Sequence, residues 1–142
     1  VFAKPANVFV ASFIGTPQMN IVDADLKSFA AGQATVELAG SPLKIAADPA
    51  VSGLKPSKVK IGIRPRAFSA VDRASADTIM AQAELIEPMG AETLIHARTK
   101  IGDDIRVVVP REMRVKGGET LHLRPDPRQT HFFGEDGKAV RA

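Results

Sequence analysis

The segment KVKIGIR, residues 58–64, has the clearest strand pattern in the chain. Val59, Ile61 and Ile63 point to one side, and basic side chains occupy most of the positions that point to the other. This alternation, with a period of two, is typical of a strand with one buried face. Pro65 follows, and proline cannot donate a ladder hydrogen bond. The sequence therefore predicts a half-buried strand that ends before Pro65.

Similar short patterns recur along the rest of the chain. Alternating or apolar runs predict further strands near residues 35–38, 43–45, 78–88, 92–99, 105–109 and 121–123. Glycine-containing turn signals separate them at 40–42, 90–91, 102–104 and 117–118. Many short strands with frequent turns indicate an all-β protein, built as an antiparallel barrel or as a pair of barrels.

Two pairs of segments resemble each other at a separation of about sixty residues. KIGIRP at 60–65 is similar to TLHLRP at 120–125, and the segment 40–45 is similar to 102–107. Two related β units would produce this similarity. Chance similarity between amphipathic strands would produce it as well, and the sequence leaves both explanations open.

One helix is predicted, at PANVFVASFI, residues 5–14. Pro5 suits the first helical position, and Phe9 and Phe13 lie four residues apart on one face. Gly15 and Pro17 are expected to end the helix. Its wide apolar stripe predicts burial on more than one side.

Composition excludes several classes of protein. Of the 142 residues, 44% are hydrophobic and 25% are charged, which is typical of an ordinary globular protein. The absence of cysteine removes disulfides and thiolate sites. No apolar window approaches the roughly 20 residues of a membrane-spanning helix, and no segment has the pattern expected of a signal peptide. Because the first residue is valine, we expect a fragment or an engineered chain.

No catalytic, cofactor or metal site can be assembled from the motifs present. Gly137-Lys138 lacks the upstream glycine of a phosphate loop, and the three histidines lack metal-ligand spacing. The acidic pairs Asp103-Asp104 and Glu135-Asp136 lie in turn-like contexts beside glycine. None of the seven phenylalanines lies in a predicted strand, which argues against nucleic-acid binding through stacking platforms.

Four segments, in order along the chain, resemble motifs of carbohydrate-type ABC importer ATPases of the maltose and glycerol-3-phosphate type. They are PANVFVASFIGTPQMN (5–20), IGIRPRAF (61–68), ELIEPMGAETLIHAR (84–98) and DPRQTHFFGEDGKAV (126–140). The resemblance implies an OB-like β-barrel of the TOBE type with one short N-terminal helix. It implies that residues 1–18 end the nucleotide-binding domain and its linker helix, and that residues 19–142 form the C-terminal regulatory domain.

The same resemblance implies the function and the partners. ATP and Mg²⁺ would bind in an upstream ATPase domain, so we expect no enzyme activity from the residues present, although the parent subunit would hydrolyse ATP. The implied partners are a second copy of this domain, the ATPase domain, transmembrane permease subunits, a solute-binding protein and a regulatory protein, without nucleic acid. The implied location is the inner face of the cell membrane.

Contact residues are predicted where these motifs mix apolar and polar side chains. The candidates for dimer or regulatory contacts are Phe13, Ile14, Gly15, Thr16, Pro17, Met19, Asn20, Arg64, Pro65, Arg66, Glu92, Thr93, His131 and Phe132. Arg66 stands where the family has glutamate, which puts any salt bridge of that glutamate in doubt. The alternative is that residues 13–20 are an internal connector and that Glu92 and Thr93 are a solvated strand end.

Two other functions remain open at this point. Related barrels bind oxyanions such as molybdate, although the Ser-Ala-Arg-Asn type of motif expected there is missing. An OB-fold nucleic-acid binder is the other alternative, and salt-dependent binding to single strands would identify it.

Overall fold

The structure, a computed structural model, describes residues 19–38, 41–47 and 58–134. Ten strands lie in this part of the chain: β1 Asn20–Ala30, β2 Gln33–Leu38, β3 Ser41–Ala46, β4 Lys58–Ile63, β5 Phe68–Val71, β6 Ile79–Met89, β7 Glu92–Thr99, β8 Asp104–Pro110, β9 Thr120–Pro125 and β10 Thr130–Phe133. The predicted helix at 5–14 lies outside the described residues. No helix among the described residues has the length and apolarity to cross a membrane.

The strands form two antiparallel five-stranded sheets. The first sheet has the order β10-β4-β1-β2-β3, and the second has the order β5-β9-β6-β7-β8. Inward side chains of both sheets form one shared core, with members such as Val36, Leu43, Ile61, Ile63, Ile95, Ile105 and Leu123. A 3₁₀ turn at Pro65–Ala67, just before β5, packs against β8 at the other edge of the second sheet. The two edges of this sheet therefore approach each other. The all-β, OB-like prediction is therefore confirmed.

The two sheets are built in the same way. β1 and β6 each have eleven residues, and each carries a register shift, between Leu26 and Ser28 and between Ala83 and Leu85. β4 and β9 are each followed by a 3₁₀ turn that begins with proline. By their pairing, Ile63 corresponds to Pro125 and Pro65 to Pro127, so KIGIRP and TLHLRP lie in equivalent strands but two residues out of register. Two related β units would produce this arrangement of the strands.

Each sheet is completed by a strand from the other half of the chain. β5 follows β1–β4 along the sequence but pairs with β9 of the second sheet. β10 follows β6–β9 but pairs with β4 of the first sheet. We call β1–β5 the first half and β6–β10 the second half; Asp72–Thr78 is the linker between them.

Several hydrogen bonds fix the linker. Ser75 donates its backbone N–H to Thr78 Oγ1 at 2.8 Å and its hydroxyl to Asp77 Oδ1 at 2.6 Å. Arg124 Nε on β9 donates to Asp77 Oδ2 at 2.9 Å. Lys44 N on β3 donates to Ala76 O at 2.7 Å. The linker is therefore attached to both sheets.

Asp77 should make this attachment pH-dependent. The hydrogen bond from Ser75 is the main cause that lowers the pKa of Asp77, and the hydrogen bond and charge of Arg124 add to it. A carboxylate with a lowered folded-state pKa stabilises the fold above its unfolded pKa of about 3.9, and the effect is lost as pH falls. In Ser75→Ala, the free energy of unfolding should fall less between about pH 5 and pH 3 than it does in the parent protein. The difference between the two proteins should be below about 1 kcal/mol, because Asp77 is exposed. Urea unfolding at both pH values measures this loss, and an equal loss in both proteins would contradict the assignment.

One predicted turn is wrong in its bounds. The turn signal at 40–42 predicted that Ser41 and Pro42 lie between strands, but both belong to β3. Pro42 is accepted there because β3 is an edge strand, where a missing N–H costs no ladder bond on the open side.

Candidate functional site

Most of the described candidate residues meet around one end of β4. Asn20 pairs with Ile63 from one side, and Thr130, next to His131, pairs with Ile63 from the other. The candidates placed in this region are Met19, Asn20, Arg64, Pro65, Arg66, His131 and Phe132, whereas Glu92 and Thr93 begin β7. The candidates Phe13, Ile14, Gly15, Thr16 and Pro17 lie outside the described residues.

A small apolar cluster covers the outer face of the first sheet at this end. Met19 is 5% exposed and Phe133 is 0% exposed, and they form a cluster with Ile21 that is separate from the main core. Gly62 lies beneath them, and a Cβ built on it would be 2.6 Å from Met19 Sδ and 2.9 Å from Phe133 Cε2. We call Met19, Ile21, Gly62 and Phe133 the outer-face cluster. Position 62 requires glycine because Met19 and Phe133 lie so close to its backbone that a Cβ atom would not fit.

Asn20 joins the two sheets through its side-chain amide. Its Nδ2 donates to Arg106 O at 2.8 Å and to Ile63 O at 3.1 Å, while its Oδ1 accepts from Arg106 N at 2.8 Å. β8 is an edge strand of the second sheet. The Asn20 amide therefore bonds the N–H and the C=O of Arg106 on the side of β8 that has no neighbouring strand. Asn20 is 9% exposed, and its polar atoms are used within the chain.

Arg66 and Glu92 form an ion pair between the 3₁₀ turn after β4 and the start of β7. The distance from Arg66 Nη2 to Glu92 Oε1 is 2.8 Å, and Arg66 Nε lies 3.3 Å from both carboxylate oxygens. Both side chains remain substantially exposed. Beside them Pro65 and Thr93 are buried.

The remaining candidates at this end of β4 are less accessible. Arg64 and His131 are half-buried, and Phe132 lies in the main core. Burial lowers the pKa of Arg64. Of the nine described candidates, the structure therefore leaves Arg66 and Glu92 with the most accessible charged groups.

Two surface clefts flank this region, each of about 480 Å³. One lies between β5 and β8 and is lined by Arg66, Phe68, Ser69, Ala70, Glu92, Val108, Val109, Pro110 and Met113. The other is lined by Met19, Asn20, Ile21, Glu84, Leu85, His96, Ala97, Arg98, Asp104, Ile105 and Arg106. We call them the Arg66 cleft and the Arg98 cleft.

The Arg98 cleft was not predicted from the sequence. Arg98 contacts Glu84 at 3.1 Å and Asp104 at 3.3 Å, and both carboxylates raise its pKa. His96 Nε2 lies 2.7 Å from Glu87 Oε1. Arg98 and His96 thus lie against carboxylates, and the two arginines and two carboxylates that line the cleft leave it without a strong net charge. Among the described residues, no group of three or more His, Asp or Glu side chains is arranged to hold a metal ion.

Comparison with known proteins adds close relatives in sequence. The sn-glycerol-3-phosphate import ATP-binding protein UgpC of Bordetella avium (strain 197N) is 36% identical over 148 residues, covering 99% of this chain and 38% of the relative. UgpC of Salmonella typhi is 36% identical over 142 residues, with the same two coverages. The chain therefore spans less than two-fifths of the length of these relatives.

Among solved structures, the chain is similar to the cytoplasmic molybdate-binding protein ModG with molybdate bound. The TM-score is 0.64, the identity is 12%, and the match covers 81% of this chain and 95% of that chain. This likeness supports the fold. The family model for the TOBE domain matches residues 52–133, more than half of the sequence. The chain, with its paired β units, belongs to the TOBE domain family.

Proposed function

We propose that this chain is the C-terminal regulatory and pairing domain of an ATP-binding subunit that powers import of a sugar or a glycerol-3-phosphate-like solute. The alignment of 99% of the chain with glycerol-3-phosphate import ATP-binding proteins is the observation that carries the proposal. Residues 1–18 would then end the ATPase domain, and residues 19–142 would form the regulatory domain. ATP hydrolysis would belong to the upstream domain.

The mechanism that we propose is mechanical. Two copies of the domain would hold two ATPase subunits together at one end while nucleotide opens and closes the other end. Tethering of this kind raises the effective concentration of each ATPase domain for its partner. A regulatory protein that binds one arrangement more tightly would shift the population toward it. Permease subunits and a solute-binding protein would complete the assembly at the inner face of the membrane.

The Arg66–Glu92 pair is the part of the candidate set that we propose for the pairing surface. Asn20 is used inside the chain, and Met19, Pro65, Thr93 and Phe132 are buried. Arg66 and Glu92 are exposed at the edge of a cleft of mixed polarity that includes Pro110 and Met113. Protein–protein interfaces usually combine apolar contacts with a polar rim, and Pro110 and Met113 beside the ion pair offer both kinds of contact.

Charge reversal at Arg66 should weaken self-association without unfolding the domain. We expect Arg66→Glu to raise the Kd of the dimer at least about tenfold, because it places two like charges at the interface rim. The stability should change by less than about 1 kcal/mol, since an exposed pair contributes little. Light scattering across a concentration series measures the Kd, and urea unfolding measures the stability.

A matched control is the exposed pair of Lys27 and Glu37 on the first sheet, 3.9 Å apart. Lys27→Glu reverses a charge of the same kind away from the Arg66 cleft, and we expect no change in the Kd. Arg66→Glu combined with Glu92→Arg restores the internal pair and should recover part of the association. A strict monomer at high concentration would reject the pairing role.

Oxyanion binding is the alternative, and the fold likeness is its main support. The Arg98 cleft argues against it in part, because Arg98, one of its two arginines, is already paired with two carboxylates. We therefore expect no binding heat in calorimetry with molybdate. Tight binding would favour the alternative.

A further inference from the structure

We infer that the first half of this chain can pair with the second half of another copy, with the linker Asp72–Thr78 acting as the hinge. The inference concerns how two copies can interlock, and it does not depend on the proposed function. It follows from the path of the chain through the two sheets.

Every contact between the halves, apart from the linker, is non-covalent. β5 pairs with β9 from Phe68↔Pro125 to Val71↔His122, and β10 pairs with β4 from Thr130↔Ile63 to Phe133↔Lys60. A second copy offers the same strands in the same register. Opening only the linker would therefore let both sheets re-form between two chains.

Neither half has an alternative way to bury its apolar face. Ile61 and Ile63 of the first half and Ile95 and Leu123 of the second half are at most 1% exposed, and they belong to one shared core. A separated half would expose this face and leave its sheet one strand short. The partner with matching shape and hydrogen-bonding edge is the complementary half, from the same chain or from another copy.

The length of the linker determines whether a half pairs within its own chain or with another copy. β5 and β6 lie on opposite sides of β9, so the linker crosses about 10 Å, twice the spacing of neighbouring strands. Seven residues reach roughly 25 Å, which leaves slack for the closed form. The closed chain also has an intramolecular effective concentration of about millimolar, so it dominates in dilute solution.

Shortening the linker should reverse this preference. Deleting Arg73–Asp77 leaves two residues, which reach only about 7 Å. Val71 and Ile79 lie opposite His122 and Leu123 in the middle of β9, so a linker this short cannot cross over that strand. We expect the shortened protein to be mainly a dimer, with a dimer fraction at least about tenfold above that of the parent chain at micromolar concentration. Sedimentation velocity measures this fraction.

A disulfide tests whether the dimer has exchanged halves. The chain has no cysteine, and Ser69 on β5 lies directly opposite Arg124 on β9. Opposed Cα atoms in an antiparallel pair are about 5 Å apart, within the range of a disulfide. Two shortened variants, one with Ser69→Cys and one with Arg124→Cys, are unfolded together, refolded and oxidised. We expect a covalent heterodimer as the main band on a non-reducing gel.

The control replaces Arg124→Cys with Lys27→Cys, which lies on the first sheet and does not oppose Ser69; it should give little heterodimer. A shortened protein that is folded and monomeric, or dimeric without the Ser69–Arg124 link, overturns the inference. If the shortened protein does not fold, the same cysteines in chains of natural length decide the question. Refolded together, they should give a heterodimer band that grows with concentration, and its absence overturns the inference. A side-by-side dimer of closed chains, as proposed above, would raise the mass without forming this link.

Discussion

Gly62→Ala is expected to destabilise the protein by about 1–3 kcal/mol, the usual range for an overpacked site. The added methyl group would lie 2.6 Å from Met19 Sδ and 2.9 Å from Phe133 Cε2. Met19 can move its flexible end, but Phe133 is a rigid ring with 0% exposure. The ring or the strand must therefore shift. Urea unfolding at neutral pH measures the loss as a lower midpoint with an unchanged slope.

Gly117→Ala is the matched control for this prediction. The nearest heavy atom to a Cβ at Gly117 is Glu84 O at 3.7 Å, an ordinary contact. We expect no destabilisation there. The double variant Gly62→Ala with Met19→Ala removes the closer contact and should lose less than the sum of the two single variants. Equal stability of Gly62→Ala and the parent protein would show that the outer-face cluster is not tightly packed.

Asn20→Ala is the second large effect that we expect, with a loss of about 1–3 kcal/mol. The substitution removes three hydrogen bonds and leaves the N–H and C=O of Arg106 without this partner. Asn20→Asp should be at least as harmful. It keeps the oxygen that accepts from Arg106 N, but it replaces the donating NH2 group with a second acceptor oxygen, so a negative charge faces the carbonyl oxygens of Ile63 and Arg106. Urea unfolding gives the size of the loss, and hydrogen exchange at the Arg106 amide shows whether the edge of β8 has opened.

Gln82→Ala provides the comparison for Asn20. The amide of Gln82 also donates to a backbone carbonyl, Gly118 O at 3.1 Å, but it does so at an exposed site. Water can replace that bond, so we expect a change of less than about 0.5 kcal/mol. Similar losses for the two variants would mean that Asn20 does not join the sheets.

The strands that the sequence predicts well are those with one buried face. β4 and β9 alternate clearly, and their observed bounds agree with the predicted segments to within one or two residues at each end. The bounds of β7 also agree, although Thr93, Leu94 and Ile95 are buried in succession. The patterns of β4 and β9 are local, because each alternate residue meets the same core. The similarity between the sequences of β4 and β9 has the same local origin, since both strands alternate over one core.

The strands that the sequence does not identify fail for separate physical reasons. The register shift in β1 between Leu26 and Ser28 breaks its alternation. β5 has only four residues, too few to show a period. β10 carries Phe132 in the main core and Phe133 in the outer-face cluster, so both of its faces are apolar.

The sequence did not predict which candidate residues pair with each other, because these contacts join distant segments of the chain. Asn20 and Arg106 are 86 positions apart, and Arg66 and Glu92 are 26 apart. Sequence motifs placed Asn20, Arg66 and Glu92 among the candidates, but no local pattern indicates which of them pair. The resemblance put the salt bridge at position 66 in doubt; the structure shows that Arg66 has a carboxylate partner within the same chain.

The position of β10 has a consequence for synthesis on the ribosome. Its residues Thr130–Phe133 pair with β4, whose Lys58–Ile63 is translated about seventy codons earlier. The first sheet therefore lacks β10 until almost all of the described sequence has left the exit tunnel. Native folding of either half is therefore not expected before β10 has emerged from the tunnel.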